Sequence, residues 1–192
     1  MKPALICFAV LTSFSLWFGA QGTPPDTCRG KPLSITMLPG PKMTGRPSLP
    51  LRFGGTRQLP FLQFPSDKSL RLVIKNRDEF SNFWKQLNSR VVSSQSAPPP
   101  EIDFSKEMII VAAMGERPTS GYWTYIDGAC EVDGQVEVFV STVEGGGKCG
   151  AVFTALTYPA DAVRLPRTDL PIVFRETQIS CGQWQKQLQR LK

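Results

Sequence analysis

The feature that most constrains the fold is a series of short segments with strand periodicity between Leu70 and Phe174. Apolar and polar residues alternate over residues 70–75 and 135–141, whereas residues 108–113 are continuously apolar. Alternation predicts strands with one buried face, and the continuous run predicts a central strand covered on both faces. Asp133-Gly134 is a strong hairpin signal. Four further strands are predicted at residues 122–126, 153–157, 162–165 and 171–174.

One amphipathic helix is predicted between the first two strands. Asn76 and Glu79 have the spacing of an N-cap and its capping-box partner. The apolar residues that follow fall on one helical face, and they are Phe80, Phe83, Trp84 and Leu87. A short final helix is predicted within residues 183–192. The fold class is therefore α+β and mostly β: a twisted antiparallel sheet or small β-sandwich with one packed amphipathic helix, formed by residues 66–192.

The start of the chain has the three-part pattern of a secretory signal peptide. Lys2 precedes a mostly apolar run over residues 4–18, and Ala20 and Gly22 are small residues suited to a cleavage site. The alternative is a transmembrane anchor, which needs about 20 predominantly apolar residues. This run is shorter, so we expect residues 1–22 to be removed. The protein is predicted to be exported, to the periplasm or the extracellular space, with no transmembrane segment after cleavage.

Residues 23–65 differ from the rest in charge and in proline content. They hold nine prolines, and six basic residues against Asp26 alone. Proline opposes regular helix, so this segment is predicted to be a basic, proline-rich arm or linker. One alternative is an arm that binds an anionic surface or an acidic partner. Residues 59–64 are apolar enough to pack as an edge strand. Because residues 66–192 carry fifteen basic and fifteen acidic residues, nucleic acid is not an expected partner.

Four cysteines remain after the predicted cleavage, since Cys7 leaves with the signal peptide. An even number in an exported chain predicts disulfides, with three possible pairings. We predict Cys130 with Cys149 and Cys28 with Cys181. The alternative is free buried thiols. None of the spacings is that of a zinc site, so no metal is expected.

Histidine is absent from the whole chain. Serine–histidine and cysteine–histidine nucleophile pairs are therefore excluded, and no imidazole is available for acid–base work. We predict that the protein is not an enzyme and uses no cofactor. The remaining catalytic alternative is a hydrolase that acts through two carboxylates, Glu116 and Asp161.

The turn between the strands at residues 108–113 and 122–126 is the predicted partner-binding site. It combines turn-forming residues with residue types that are enriched at protein interfaces. The predicted site residues are Arg117, Pro118, Thr119, Ser120, Gly121, Tyr122 and Trp123. The glycine-rich residues 144–150 lack the spacing of a nucleotide-binding loop. They are predicted to form a second, mobile loop that Cys149 fixes at one end.

The chain resembles the C-terminal domain of the protease-complex subunit PrcB family. The resemblance rests on residues 76–87, 102–108, 115–122 and 162–167, taken in order, and extends over residues 70–176. It implies an exported, non-catalytic domain, because the founding member assembles with and stabilises a secreted protease. The expected partner is therefore a protein, such as a secreted protease or an envelope complex.

Residues 118–122 are also similar to the NPTTG loop of chagasin-type inhibitors of papain-like cysteine proteases. Arg117 stands where those proteins have asparagine. This likeness implies an alternative function, which is direct protease inhibition by the same loop.

Overall fold

The computed structural model describes residues 28–38, 48–52, 56–58, 62–89, 98–145 and 152–189. The predicted signal peptide and Cys149 lie outside these residues, as does most of the glycine-rich loop. The described residues form the strands β1 (Lys31–Pro32), β2 (Thr36–Met37), β3 (Ser48–Pro50), β4 (Thr56–Gln58), β5 (Leu62–Gln63), β6 (Leu70–Ile74), β7 (Glu107–Ala113), β8 (Tyr122–Val132), β9 (Gln135–Glu144), β10 (Pro159–Pro166) and β11 (Ile172–Ile179). The helices are α1 (Arg77–Leu87) and α2 (Cys181–Gln189).

The strands form a β-sandwich. The first sheet has the order β1-β8-β9-β11, and the second has the order β2-β10-β7-β6, with β5 also paired to β10. β3 and β4 make a separate two-stranded ribbon. All pairs are antiparallel except β9 with β11, which is parallel. The predicted mostly-β fold is confirmed.

The position of strand β7 between two layers explains why its sequence is continuously apolar. Met108, Ile110 and Ala112 face the first sheet, where they pack in one cluster with β8 and β9 side chains such as Ile126 and Val138. The residues between them face the other way and pack in a cluster with α1. Both faces of β7 are thus removed from water, as the run predicted.

The capping box predicted the start of α1. The Glu79 amide donates to Asn76 Oδ1 at 2.9 Å, and the Lys75 amide donates to Glu79 Oε2 at 3.0 Å. These two bonds satisfy backbone donors at the helix entrance. The four apolar residues of the predicted stripe are all buried against the second sheet. The predicted helix and its packing face are confirmed.

The hairpin between β8 and β9 turns at Asp133 and Gly134, as predicted. Their φ angles are 49° and 73°. Positive φ at both positions is the conformation of a type I′ turn, which Asp-Gly favours. The ladder shifts register between Ile126 and Gly128, so that Asp127 bulges from β8.

The second helix, α2, packs on the outer face of the first sheet. Trp184 is buried there with Tyr125, Val143 and Ile179. The predicted final helix is therefore present, although it begins at Cys181. None of the described helices is long and apolar enough to cross a membrane.

Residues 28–38, which we call the strap, depart from the predicted linker. β1 pairs with β8, and β2 pairs with β10, so the strap crosses from one sheet to the other. Leu38 is buried at its end. Further along, β5 pairs with β10, consistent with the predicted edge strand. Strands of two residues have no period to detect, which explains why the sequence did not predict β1 and β2.

Two other predictions are wrong. Residues 153–157 form no strand, and Thr157 makes only an isolated bridge with Arg117. The disulfide links Cys28 to Cys130, so neither predicted pairing is correct. In the β1–β8 pair, Pro32 is opposite Cys130. The strap therefore runs beside Cys130, and Cys28, just before β1, lies close enough to bond to it. Cys181 is disulfide-bonded as well.

Candidate functional site

The predicted binding turn connects β7 to β8 and begins at Gly115. The φ angle of Gly115 is +79°. A Cβ atom at this position would lie 2.7 Å from the Lys68 carbonyl carbon. Both the backbone conformation and the close approach to the residues before β6 therefore require glycine.

The turn is held against residues 153–157, which lead into β10. Arg117 and Thr157 exchange backbone hydrogen bonds of 2.8 and 2.9 Å. The Ser120 amide donates to the Phe153 carbonyl at 3.1 Å, and Ser120 Oγ accepts from the Phe153 amide at 2.9 Å. Thr157 Oγ1 donates to the Thr119 carbonyl at 2.8 Å. Residues 116–123 and 153–157 thus form one continuous area, which we call the two-loop surface.

The two-loop surface exposes large apolar side chains. Phe153 is 82% exposed and Leu156 is 62% exposed, and they are the exposed large hydrophobic residues of the described chain. Pro118 is exposed beside them in the turn. Isolated exposed apolar residues are ordinary, but two such residues in one hydrogen-bonded segment, which together we call the apolar patch, are a candidate contact surface.

The charged and aromatic groups of the turn are anchored. The Arg117 guanidinium lies 5.7 Å from the centre of the Tyr122 ring, and its Nη1 donates to the Glu116 carbonyl at 2.9 Å. Glu116 Oε2 accepts from the buried Tyr158 hydroxyl at 2.6 Å. These contacts hold the Arg117 and Glu116 side chains in place at the edge of the apolar patch.

The predicted site residues have different environments. Arg117, Thr119 and Ser120 are partly buried, and they lie in the hydrogen-bonded part of the two-loop surface with Pro118. Gly121 is buried, and Trp123 packs against the α2 cluster. Tyr122 is partly buried beneath Arg117. The structure therefore joins the turn to the segment that carries Phe153 and Leu156, for which the sequence predicts a strand. Residues 153–157 have no periodicity that would identify these two side chains as exposed.

The acids of the catalytic alternative do not share an environment. Glu116 is exposed on the two-loop surface, whereas Asp161 is 1% exposed inside the sandwich. Asp161 Oδ2 accepts from the Ile126 amide at 2.7 Å. That amide lies beside the β8 bulge. The hydrogen bond therefore gives Asp161 a structural role, because its carboxylate binds the backbone where the ladder is irregular.

A second buried acid belongs to an ion pair that the sequence did not predict. Arg52 Nε donates to Asp127 Oδ1 at 3.1 Å, and the two side chains are 7% and 11% exposed. Ser141 Oγ donates to Asp127 Oδ2 at 2.7 Å, and the guanidinium lies 4.7 Å from the centre of the Phe139 ring. The bulge directs Asp127 outward, and residue 52 comes from the predicted linker. Such a pair is stable only when its hydrogen bonds are satisfied, which these contacts provide.

An open groove of about 750 Å³ lies at the start of α1. Arg167 Nη1 donates there to the Lys75 and Phe104 carbonyls, at 2.6 and 2.9 Å. The pKa of Asp103 is below its ordinary value, because Ser105 and then Lys106 donate hydrogen bonds to its carboxylate. Residues from three of the segments on which the family resemblance rests thus line this groove, and the hydrogen bonds of Arg167 connect them. Among the described residues, no group of three potential ligands is placed to hold a metal ion.

The comparisons with known proteins agree with part of the resemblance. No curated protein matches the chain, and no solved structure does. A match to one family model begins at Met108 in β7, includes the predicted binding turn and ends with β10, while α1 lies before it. Residues 108–166 of this chain match the model of the family described as PrcB C-terminal.

Proposed function

We propose that this protein is an exported, non-catalytic module that binds another protein through the two-loop surface. The partner is a secreted protease or an envelope complex that contains one. The observation that carries the proposal is the exposure of Phe153 and Leu156 on a segment hydrogen-bonded to the turn at Arg117. A backbone segment that hydrogen bonds already hold in place loses little further conformational freedom when a partner binds to it.

The family match supports the class of partner. It includes both halves of the two-loop surface, since residues 116–123 and 153–157 lie within residues 108–166. The PrcB family, which this region resembles, is that of a protease-complex subunit, so the match suggests a partner of this class. The signal-peptide pattern at residues 1–22 and the Cys28–Cys130 disulfide support export, because disulfides persist in oxidising compartments. Amino-terminal sequencing of the secreted protein tests this part, and a mature chain that still begins at Met1 would contradict it.

The binding proposal is tested by photo-crosslinking from position 153 in the secreted fraction, followed by pull-down with purified variants. We expect a specific protease or protease-associated protein to be captured. Phe153→Ser with Leu156→Ser should abolish capture, and Arg117→Ala with Tyr122→Ala should weaken it. Surface hot spots of this kind commonly contribute about 2 kcal/mol or more per residue, which is roughly thirtyfold in affinity.

The matched control is Lys186→Ala, which changes an exposed residue of α2 that is not part of the two-loop surface. It should leave capture unchanged. Circular dichroism of every variant separates loss of binding from loss of folding. An unchanged set of captured proteins in the folded Phe153/Leu156 variant would exclude the two-loop surface.

Inhibition of papain-like cysteine proteases is the second candidate function. It is favoured by the position of Pro118, which is exposed on the turn beside the segment that carries Phe153. Titration of papain with the purified protein is the test. Full activity at micromolar inhibitor would eliminate this candidate and leave the binding proposal intact.

A further inference from the structure

The strap closes one side of the sandwich through short pairings with each sheet. The Leu33 amide donates to the Ala129 carbonyl of β8 at 2.9 Å, and the Leu38 amide donates to the Ala162 carbonyl of β10 at 3.1 Å. The two strands of the strap, β1 and β2, are each two residues long. Such short pairings are marginal without additional attachment.

Apolar contacts add to these hydrogen bonds but remain partial. Leu33 and Ile35 are partly buried against the cluster between the sheets, and only Leu38 is fully buried. Gly30 lies so close to β8 that a Cβ atom there would overlap the Glu131 carbonyl oxygen. The beginning of the strap is therefore fitted tightly to the strand, while its apolar anchor lies at the other end.

The Cys28–Cys130 disulfide is the covalent link between the strap and β8. Its two residues differ in exposure, because Cys28 is partly exposed whereas Cys130 is 1% exposed. Access for a thiol is consequently from the Cys28 side. A disulfide that joins a short exposed segment to a sheet edge limits the local opening of that segment.

We propose that the strap is a redox-controlled cover on the edges of β8 and β10. Reduction of Cys28–Cys130 releases the strap while the rest of the sandwich stays folded. The released edges then present backbone groups that the strap had paired. This device is separate from the two-loop surface.

The chemical step is thiol–disulfide exchange with a dithiol. A thiolate of the dithiol attacks Cys28 Sγ, the S–S bond breaks, and Cys130 leaves as a thiolate that takes up a proton. The second thiol of the reagent then displaces Cys28 from the mixed disulfide. Two electrons pass to the protein, which gains two thiols, and the reagent becomes a cyclic disulfide.

Hydrogen exchange of the full chain, before and after treatment with dithiothreitol, tests the proposal. We expect the Leu33 and Leu38 amides to exchange about tenfold faster or more after reduction, because their opening no longer works against a covalent link. Amides in the middle of β9 should change by less than about twofold, since that strand has neighbours on both sides. Reoxidation should restore protection.

Two variants assign the effect to one disulfide. Cys28→Ser should reproduce the fast exchange without reductant, whereas Cys181→Ser, which breaks another disulfide, should leave Leu33 and Leu38 protected. The proposal is overturned if Leu33 and Leu38 stay protected after mass spectrometry shows that Cys28–Cys130 is reduced. It is equally overturned if β9 loses protection together with the strap, because the disulfide would then hold the whole fold.

Discussion

The two long sides of the sandwich are closed in different ways. On one side, the edges of β8 and β10 are covered by the strap, by β5 and by the backbone of Arg52, all from earlier in the chain. On the other side, within the described residues, no strand pairs with the outer edge of β6 or β11. Those two edges are linked by side chains, because Arg71 donates to both Glu176 carboxylate oxygens at 2.7 and 2.9 Å.

The comparison shows two solutions to the same problem. An edge strand carries backbone groups that invite pairing, and a protein either covers them or surrounds them with charge. The covered side uses hydrogen bonds, a disulfide and the buried Arg52–Asp127 pair. The open side uses partly exposed ion pairs, Arg71 with Glu176 and Arg175 with Glu137. Stability should therefore depend much more on the covered side.

The largest effect is expected from Asp127→Ala on the covered side. The change removes the carboxylate that faces Arg52 and leaves a cation whose side chain is 7% exposed. Loss of one member of a buried pair costs about 3–5 kcal/mol. Urea unfolding should show this loss. Arg52→Met with Asp127→Leu is the control, because a pair of apolar side chains should recover most of it. A loss below about 1 kcal/mol would mean that the pair behaves as a surface ion pair.

Gly30→Ala should have the next largest effect. The added methyl group meets the Glu131 carbonyl, so the strap must move away from β8. Forcing extra atoms into a packed site costs about 1–3 kcal/mol. Thermal unfolding measures the loss. Gly182→Ala is the matched control, since a Cβ atom there meets nothing within 4 Å. Equal stability of the two variants would contradict the tight fit of the strap.

On the open side, Glu176→Gln should cost less than about 1 kcal/mol, because Glu176 is 49% exposed and surface ion pairs contribute little. Arg71 retains its hydrogen bonds to the Leu70 and Ala113 carbonyls. The experiment is urea unfolding at low and high salt, with wild-type protein as the reference. A loss as large as that of Asp127→Ala would remove the distinction between the two sides.

The smallest effect is expected from Asp103→Asn, on the loop before β7 and away from both sides. Hydrogen bonds from Ser105 and Lys106 lower the pKa of Asp103 in the folded state. The folded protein therefore binds this proton less readily than the unfolded chain, so the contribution of Asp103 is present above the ordinary pKa and is lost as the pH falls through the lowered value. The difference between wild type and variant should shrink below about pH 4, as thermal unfolding at several pH values would show. A difference that grows in acid would contradict the assigned direction.

The covered and open sides also differ in how far the sequence predicted them. β6, β7, β9 and α1 have clear periods or caps, and they were predicted within a few residues. The strap has neither, because its strands contact the sheets at only two residues each. The Cys28–Cys130 disulfide depends on the contact between the strap and β8. The prediction of Cys130 with Cys149 relied instead on how close these two cysteines are in the sequence. Contacts between distant segments were therefore the part that local patterns could not supply.

For the candidate site, the turn was predicted and its apolar neighbour was not. The pairing of Arg117 with Thr157 joins two loops that are far apart in the sequence, and no local pattern in either loop predicts this contact. The sequence predicts a strand over residues 153–157. In the structure these residues find no neighbouring strand, so Phe153 remains exposed. The sequence therefore indicated only one of the two loops that form the two-loop surface.

The strap has a consequence for the order in which the chain folds during synthesis. Cys28 and Cys130 are 102 positions apart. At ribosomal speeds of about 5–20 residues per second, β8 and β10 emerge seconds after the strap. The strap is thus synthesised early, but it can pair with the sheets and form its disulfide only later. Until then, the edges of β8 and β10 are accessible to other nascent chains, and a delay in oxidation would lengthen that interval.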